Sequence, residues 1–239
     1  MTPVCCVFGR PVPHEDSLDA LKNLQNHITG ALGAEVLDRW TAEVTYKIKQ
    51  KQSKGTVSEM KFGVNVAAAF VGMKRDDGSS YPYGKQYCIR RSDMEGRLMI
   101  VQEVAEGQPK LSGEGCLDHI LEGGRELEAS PAMRAPLTTR LKAIVDGQAY
   151  CLGDLVIRAG SFRKGATYRG LVLEVEYQPC NNIEDGLNFI EAFFPSVAYG
   201  ADFAIASNLR DKSVFGNSGE YSAKHTAVQM TDLFNGVFT

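Results

Sequence analysis

The chain has 239 residues, 44% of them hydrophobic and 23% charged, with a net charge of −3. That composition excludes a wholly disordered chain, which lacks the apolar material to close a core. The balance also excludes the dense basic face with which nucleic-acid binders neutralise phosphates, and a length in this range suits one large domain over residues 1–239.

Residues 3–8 read as a short buried strand closed by Gly9 and two prolines. Leu18, Leu21, Leu24, Ile28 and Leu32 then recur at three- and four-residue steps. They predict a helix started by Asp16 or Ser17 and ended by Gly33. From 36 to 50 the period becomes two, with Trp40, Ala42, Val44, Tyr46 and Ile48 on one side of a long half-buried strand. Lys47, Lys49, Lys51 and Lys54 alternate with other residues there and read as a solvated strand face. Residues 51–58 form a polar turn region, and 62–71 suit a strand or a helix. Residues 74–84, with Asp77-Gly78 and Tyr81-Pro82, read as a loop.

Residues 85–91 and 97–103 look like a strand pair joined through Glu95-Gly96, 116–127 like a helix, and 128–136 like a connector. Three strand-length runs follow at 137–145, 149–159 and 168–177. Asp146-Gly147 predicts a tight hairpin between the first two. Residues 181–194 read as a helix capped by Asn181 or Asn182 and stopped by Pro195. A flexible segment is expected at 199–220. The last helix, 221–234, carries Ala227, Met230, Leu233 and Phe234 on one stripe. Antiparallel hairpins interrupted by a few helices give an α+β protein, its curled antiparallel sheet, or barrel, flanked by helices. No G-x-G-x-x-G, Walker loop or βαβ alternation is present, which argues against a nucleotide-binding parallel sheet.

Six cysteines, Cys5, Cys6, Cys88, Cys116, Cys151 and Cys180, form no C-x-x-C pair. They read as small core hydrophobes in a reducing compartment. No apolar run has the length of a membrane span or the shape of a signal peptide, so an intracellular soluble protein is expected.

The sharpest chemical candidate is Glu174-Val175-Glu176. In a strand the two carboxylates project to one side about 7 Å apart. Facing a barrel lumen, they suit a hard divalent cation, with Arg158, Arg163, Lys164 and Arg169 near in sequence. Tunnel-shaped triphosphatases use such pairs opposite basic residues, but their pattern places a lysine where this chain has Gln178. A metal-dependent triphosphatase is therefore the alternative reading, and the wet face of a strand the plainer one. His14, His27, His119 and His225 lack catalytic spacing and read as solvated or structural. Ser112 and Ser161 lack a motif, and Gly113-Glu114-Gly115-Cys116 lacks the strand–turn–helix context of a nucleophile. Gly160, Gly165 and Gly170 fit turns and strand entries. No catalytic residue and no cofactor is expected.

The stretch from Gly153 to Gly160 (GDLVIRAG) and that from Arg169 to Cys180 (RGLVLEVEYQPC) resemble the Mediator subunit 20 family. Asp154, Arg169, Gly170, Glu174, Glu176, Tyr177, Pro179 and Cys180 carry the resemblance. The closing Val228-Gln229-Met230-Thr231-Asp232-Leu233-Phe234 and the opening Val4-Cys5-Cys6-Val7 are also similar. Departures at 62–84 and 122–136 read as insertions. The resemblance implies a barrel-like sheet flanked by helices, akin to Mediator subunits 18 and 20. It further implies a non-enzymatic place in the nuclear Mediator head module, pairing with a subunit 18 homologue. Contact with the RNA polymerase II machinery would be indirect, and direct nucleic-acid or membrane partners are not implied. Trp40, Phe203 and Phe215 are candidate surface anchors for such contacts, with core or loop packing the plainer reading of each, so no interface residue is assigned.

Overall fold

A computed structural model describes residues 2–49, 83–104, 120–123, 137–211, 215 and 219–237. Among the described residues nine strands form one antiparallel sheet, with three helices placed on its two faces. In chain order they are β1 (Val4–Pro11), α1 (Ser17–Asn26), β2 (Glu35–Lys49), β3 (Tyr83–Arg91), β4 (Leu98–Val104), β5 (Ile120–Gly123), β6 (Leu137–Leu152), β7 (Leu155–Lys164), β8 (Thr167–Tyr177), α2 (Ile183–Ala198), β9 (Ala204–Ile205) and α3 (Ala223–Asp232). Their spatial order is β5-β4-β3-β2-β6-β7-β8-β1-β9. Among the described residues β5 and β9 do not pair, so the sheet is curled and not closed into a barrel.

The predicted periods account for most elements. The even-numbered residues of β2 from Trp40 to Val44 are buried, as period two requires. In α1, Leu24 and Ile28 are buried, but Leu18 stands 80% exposed, so the stripe begins one turn later than its spacing suggests. The helix continues through a wider turn, His27–Ala31, and Gly33 ends it at φ 71. Asn182 caps α2 by accepting from the backbone N–H of Asp185 at 3.1 Å.

Four sequence expectations are corrected. Asp146-Gly147 is not a turn: β6 runs straight through it, and the hairpin closes at Gly153-Asp154, where Gly153 has φ 56. Gly147 is needed for what lies across the sheet. A Cβ there would stand 2.1 Å from the carbonyl oxygen of Ala159, and one on Gly160 would stand 2.9 Å from that of Asp146. Gly160 is therefore a mid-strand residue, while Gly165 does sit in a turn, at φ 64. Residues 120–123 of the expected helix 116–127 form β5 instead, because β4 offers an open edge whose backbone groups they satisfy. Finally, Pro195 lies inside α2, which ends at Tyr199 in the left-handed region (φ 50).

Of the segment 199–220, Ala204 and Ile205 pair with Gly9 and Phe8 of β1, and Leu209 and Phe215 are buried. The readings of 51–58 and 62–71, His119, Cys116 and the glycines at 113 and 115 fall outside the described residues, as does nearly all of the loop read at 74–84.

One row across five strands explains the curl: Trp40, Gly147, Gly160, Val172 and Gly9 stand directly opposite one another in turn. A single indole faces a row of glycines, so the sheet bends sharply there. The convex face takes α1 over β7 and β8, and α2 over β1 and β8. A Cβ on Gly186 of α2 would come within 2.5 Å of Val4. The concave face is filled by α3, which touches β1 at one end of the sheet and β3, β4 and β5 at the other.

Candidate functional site

Alternation along β8 turns Glu174 and Glu176 to the same face, as their spacing predicts, and that face is the concave one. Glu174 is fully buried. Its carboxylate receives Arg91 from β3 in a two-pronged contact, Nη1 to Oε2 at 2.8 Å and Nη2 to Oε1 at 2.7 Å. Arg158, directly opposite on β7, donates to Oε1 at 2.6 Å and to Oε2 of Glu176 at 2.6 Å. Asp93 completes the cluster. Its oxygens accept from Nε and Nη2 of Arg91 at 2.9 and 2.6 Å, and lie 3.1 Å from Nη2 of Arg158.

The Arg91–Glu174 contact measures the curl. Three strands separate β3 from β8, and a flat sheet would hold them roughly 19 Å apart at about 4.8 Å per strand. An arginine and a glutamate cannot span that distance, so the contact exists only because the sheet folds over. The guanidinium of Arg91 also lies 5.8 Å from the ring centre of Trp40, stacking the cluster on the same bend.

Two guanidiniums and three carboxylates leave one negative charge. Burial alone would lower Arg91 and Arg158, but Glu174 above all, joined by Asp93 at Arg91 and by Glu176 at Arg158, holds both above the ordinary arginine value. Burial pulls Asp93 upward, and the two arginines overcome it and hold Asp93 below the usual carboxylate range. The Cys5 thiol stands among these groups, its sulfur and the carboxylate oxygens of Glu174 and Glu176 lying within 4.8 Å of one another. Burial, then the charges of Glu174 and Glu176, push Cys5 well above a normal thiol.

That geometry weighs against the divalent-cation reading of Glu174 and Glu176. A cation would compete with two arginines already hydrogen-bonded to both oxygens of Glu174. It would also need a thiolate from a thiol that resists ionisation. Of the basic residues near in sequence only Arg158 joins the cluster; Lys164 donates instead to the carbonyl of Phe234 at 2.8 Å, and Arg163 and Arg169 are exposed. Sequence reasoning missed Arg91 and Asp93, which no local pattern links to β8.

It also missed the part played by Gln229. On the side of β1 away from β8, β9 reaches only Phe8 and Gly9. The amide of Gln229 supplies what a strand would have supplied, accepting from the backbone N–H of Val7 at 2.8 Å and donating to the carbonyl of Cys5 at 2.9 Å. It also donates to the Tyr221 hydroxyl at 2.9 Å. One turn earlier, His225 is stacked between Phe215 and Tyr221, with ring centres at 5.2 and 5.0 Å. Its Nδ1 accepts from the backbone N–H of Ser222, and burial lowers its pKa from 6.5 to about 4. His225 is thus structural. His27 contacts the carbonyl of Ser196 on α2 at 2.7 Å, and His14 stays exposed.

The three candidate surface anchors do not stand on the surface. Trp40 and Phe215 are buried in the core, and half-buried Phe203 packs edge-on against Phe194.

Residues 130–235 match the sequence profile of a family described as the TATA-binding related factor of subunit 20 of the Mediator complex. That stretch holds β6, β7, β8, α2, β9 and α3, and with them Arg158, Glu174, Glu176 and Gln229. Mediator of RNA polymerase II transcription subunit 20 from Mus musculus is 32% identical over 97 residues, 38% of this chain and 41% of that protein. The Homo sapiens protein gives the same figures. The Anopheles gambiae protein is 24% identical over 94 residues, 39% and 40% of the two chains. The match thus spans about 41% of the length of the mammalian relatives. Among solved structures, the PH1012 protein from Pyrococcus horikoshii overlaps 90% of this chain and 97% of its own at 13% identity and a TM-score of 0.38. A chain of the Schizosaccharomyces pombe Mediator head module overlaps 83% and 96% at 8% identity and a TM-score of 0.36.

Proposed function

We propose, from the match of residues 130–235 to the Mediator subunit 20 family, that the chain is a non-enzymatic subunit of the nuclear Mediator head assembly. It supports RNA polymerase II transcription through protein–protein contact and pairs with a homologue of Mediator subunit 18. The observation that carries this reading is the ionic cluster in which Arg91 and Asp93 close on the family-matched strands β7 and β8. Glu174, Glu176 and Arg158 are spent on one another and on Arg91 and Asp93, so among the described residues the charged groups of this cluster hold the fold and leave no free base. Function then rests on the outer surface, where association over about 1,200–2,000 Å² would suffice for a stable complex.

The test is purification of the tagged full chain from nuclear extract, with mass spectrometry of what stays bound after a stringent wash. Mediator head subunits, a subunit 18 homologue among them, are expected in near-stoichiometric amounts. Recovery of the chain free of all Mediator subunits would reject the reading.

A further inference from the structure

Along the first third of β2, no described strand pairs with one of its two edges. On one side β2 pairs with β6 from Glu35 onward, whereas on the other β3 begins to pair only at Ala42, opposite Arg91. Thr41 marks the boundary: its N–H donates to the Ser92 hydroxyl and its carbonyl accepts from the Ser92 N–H, both at 2.9 Å. Beyond it the chain turns away towards β4. In an antiparallel ladder a residue's N–H and C=O point to the same side, and residues two apart agree. Arg39 therefore presents its N–H and C=O to the side that β3 has left, where no described strand faces them. Residues 35–39 are all exposed, and Val36 and Leu37 are 62% and 43% exposed despite being apolar.

We propose that residues 35–40 are a docking edge, to which an extended segment of another protein adds as an antiparallel strand, continuing the row that β3 vacates at Arg91. Charge selects the occupant. Arg39 is already paired with Asp146 at 2.7 Å, whereas Glu35 and Asp38 have no ion-pair partner among the described residues. The edge thus offers carboxylates beside apolar side chains, and fits a segment in which valine- or isoleucine-like residues alternate with lysine or arginine. The irregular register between Val36 and Arg39, with the charges beside it, is the kind of feature that stops an edge pairing with any passing strand. That the segment belongs to a fellow Mediator subunit rests on the function proposed above; the edge itself does not.

The experiment uses the full chain and a capped peptide alternating valine and lysine, with backbone amide exchange read by mass spectrometry. Trp40, the sole tryptophan, gives an independent fluorescence signal. At millimolar peptide, exchange at 35–41 should slow by about tenfold. Arg39→Ala, which removes only the ion pair, should keep that protection. Arg39→Pro, which removes the outward N–H, should abolish it at an unchanged melting temperature, as should the surface pair Val36→Lys with Leu37→Lys. The same amides are then followed in the purified native complex. Exchange at 35–41 that stays at the free rate both with peptide and in the complex overturns the proposal. Protection by peptide in a chain that recovers no Mediator subunit leaves the edge standing and removes the Mediator reading.

Discussion

Two arginine-centred clusters lie on opposite faces of the same sheet. On the concave face Arg91 and Arg158 surround Glu174, with side-chain exposures of 2%, 9% and 0%. On the convex face Arg210 reaches Glu184, Asn188 and Glu191 of α2 at 2.5–3.2 Å, in a setting where the arginine is 34% exposed and the glutamates 62% and 49%. Distances and residue types are nearly the same. What differs is water. Removing a charge from water costs several kcal/mol per ion, which the inner cluster recovers only through near-complete pairing, while the outer one keeps its hydration and gains little from contact. The inner cluster therefore acts chiefly as a gauge of curvature: its groups meet only when the sheet is bent.

The largest effect should follow from breaking that gauge. Glu174→Ala leaves Arg91 and Arg158 buried with their shared partner gone, and should cost about 3–5 kcal/mol in urea unfolding. Replacing the set together, Arg91→Met with Arg158→Met and Glu174→Leu, should recover part of that loss, because the fully buried charges are then gone and only the partly exposed Asp93 and Glu176 lack a counter-ion. If the triple variant were less stable than the single one, the cluster would be a net source of stability and the contrast with the surface would fall.

Gln229 tests whether neutral polar groups on the concave face follow the same rule. Gln229→Leu strands the N–H of Val7 and the C=O of Cys5, both buried, at about 2–4 kcal/mol. Chemical denaturation would read it, and early exchange of the β1 amides would place the damage. His225 adds a pH signature. Its pKa falls from 6.5 in the unfolded chain to about 4 in the fold, so between those values the unfolded state holds more protons. Stability should be complete above pH 6.5 and decline as pH drops towards 4, by up to about 3 kcal/mol. His225→Phe should flatten that part of the pH–stability curve.

Legibility in the sequence follows the same division between local and distant causes. Period two gave β2 and β8, period 3.6 gave α1, α2 and α3, and the shared side of Glu174 and Glu176 was readable from β8 alone, though not that it is the inner one, since a wet strand face was the plainer reading. The partners of those glutamates were not, because Arg91 lies 83 residues away and meets Glu174 only through the curl. Asp146-Gly147 misled for a related reason. A glycine admitted for close strand approach looks, along the chain, the same as one admitted for a turn. Residues 120–123 were misread because an open edge on β4 outweighed their own propensity. The family-matched strands made the likeness visible, yet nothing local announced that Gln229 would complete the edge of β1.

The smallest effect should come from the convex face. Arg210→Ala cuts off three partner residues, Glu184, Asn188 and Glu191, the same number that Gln229→Leu cuts off. Counting partners would therefore predict equal damage. Solvation predicts otherwise: water replaces the guanidinium at each glutamate, so the loss should stay below about 1 kcal/mol. The loss should also shrink as salt is raised to about 1 M, where the screening length falls to roughly 3 Å. The Glu174→Ala loss should barely respond to the same salt, since ions do not enter the closed concave face. Measuring both variants by urea denaturation at low and high salt separates the two accounts. An Arg210→Ala cost that matched Glu174→Ala and ignored salt would mean that burial does not set the worth of these arginines.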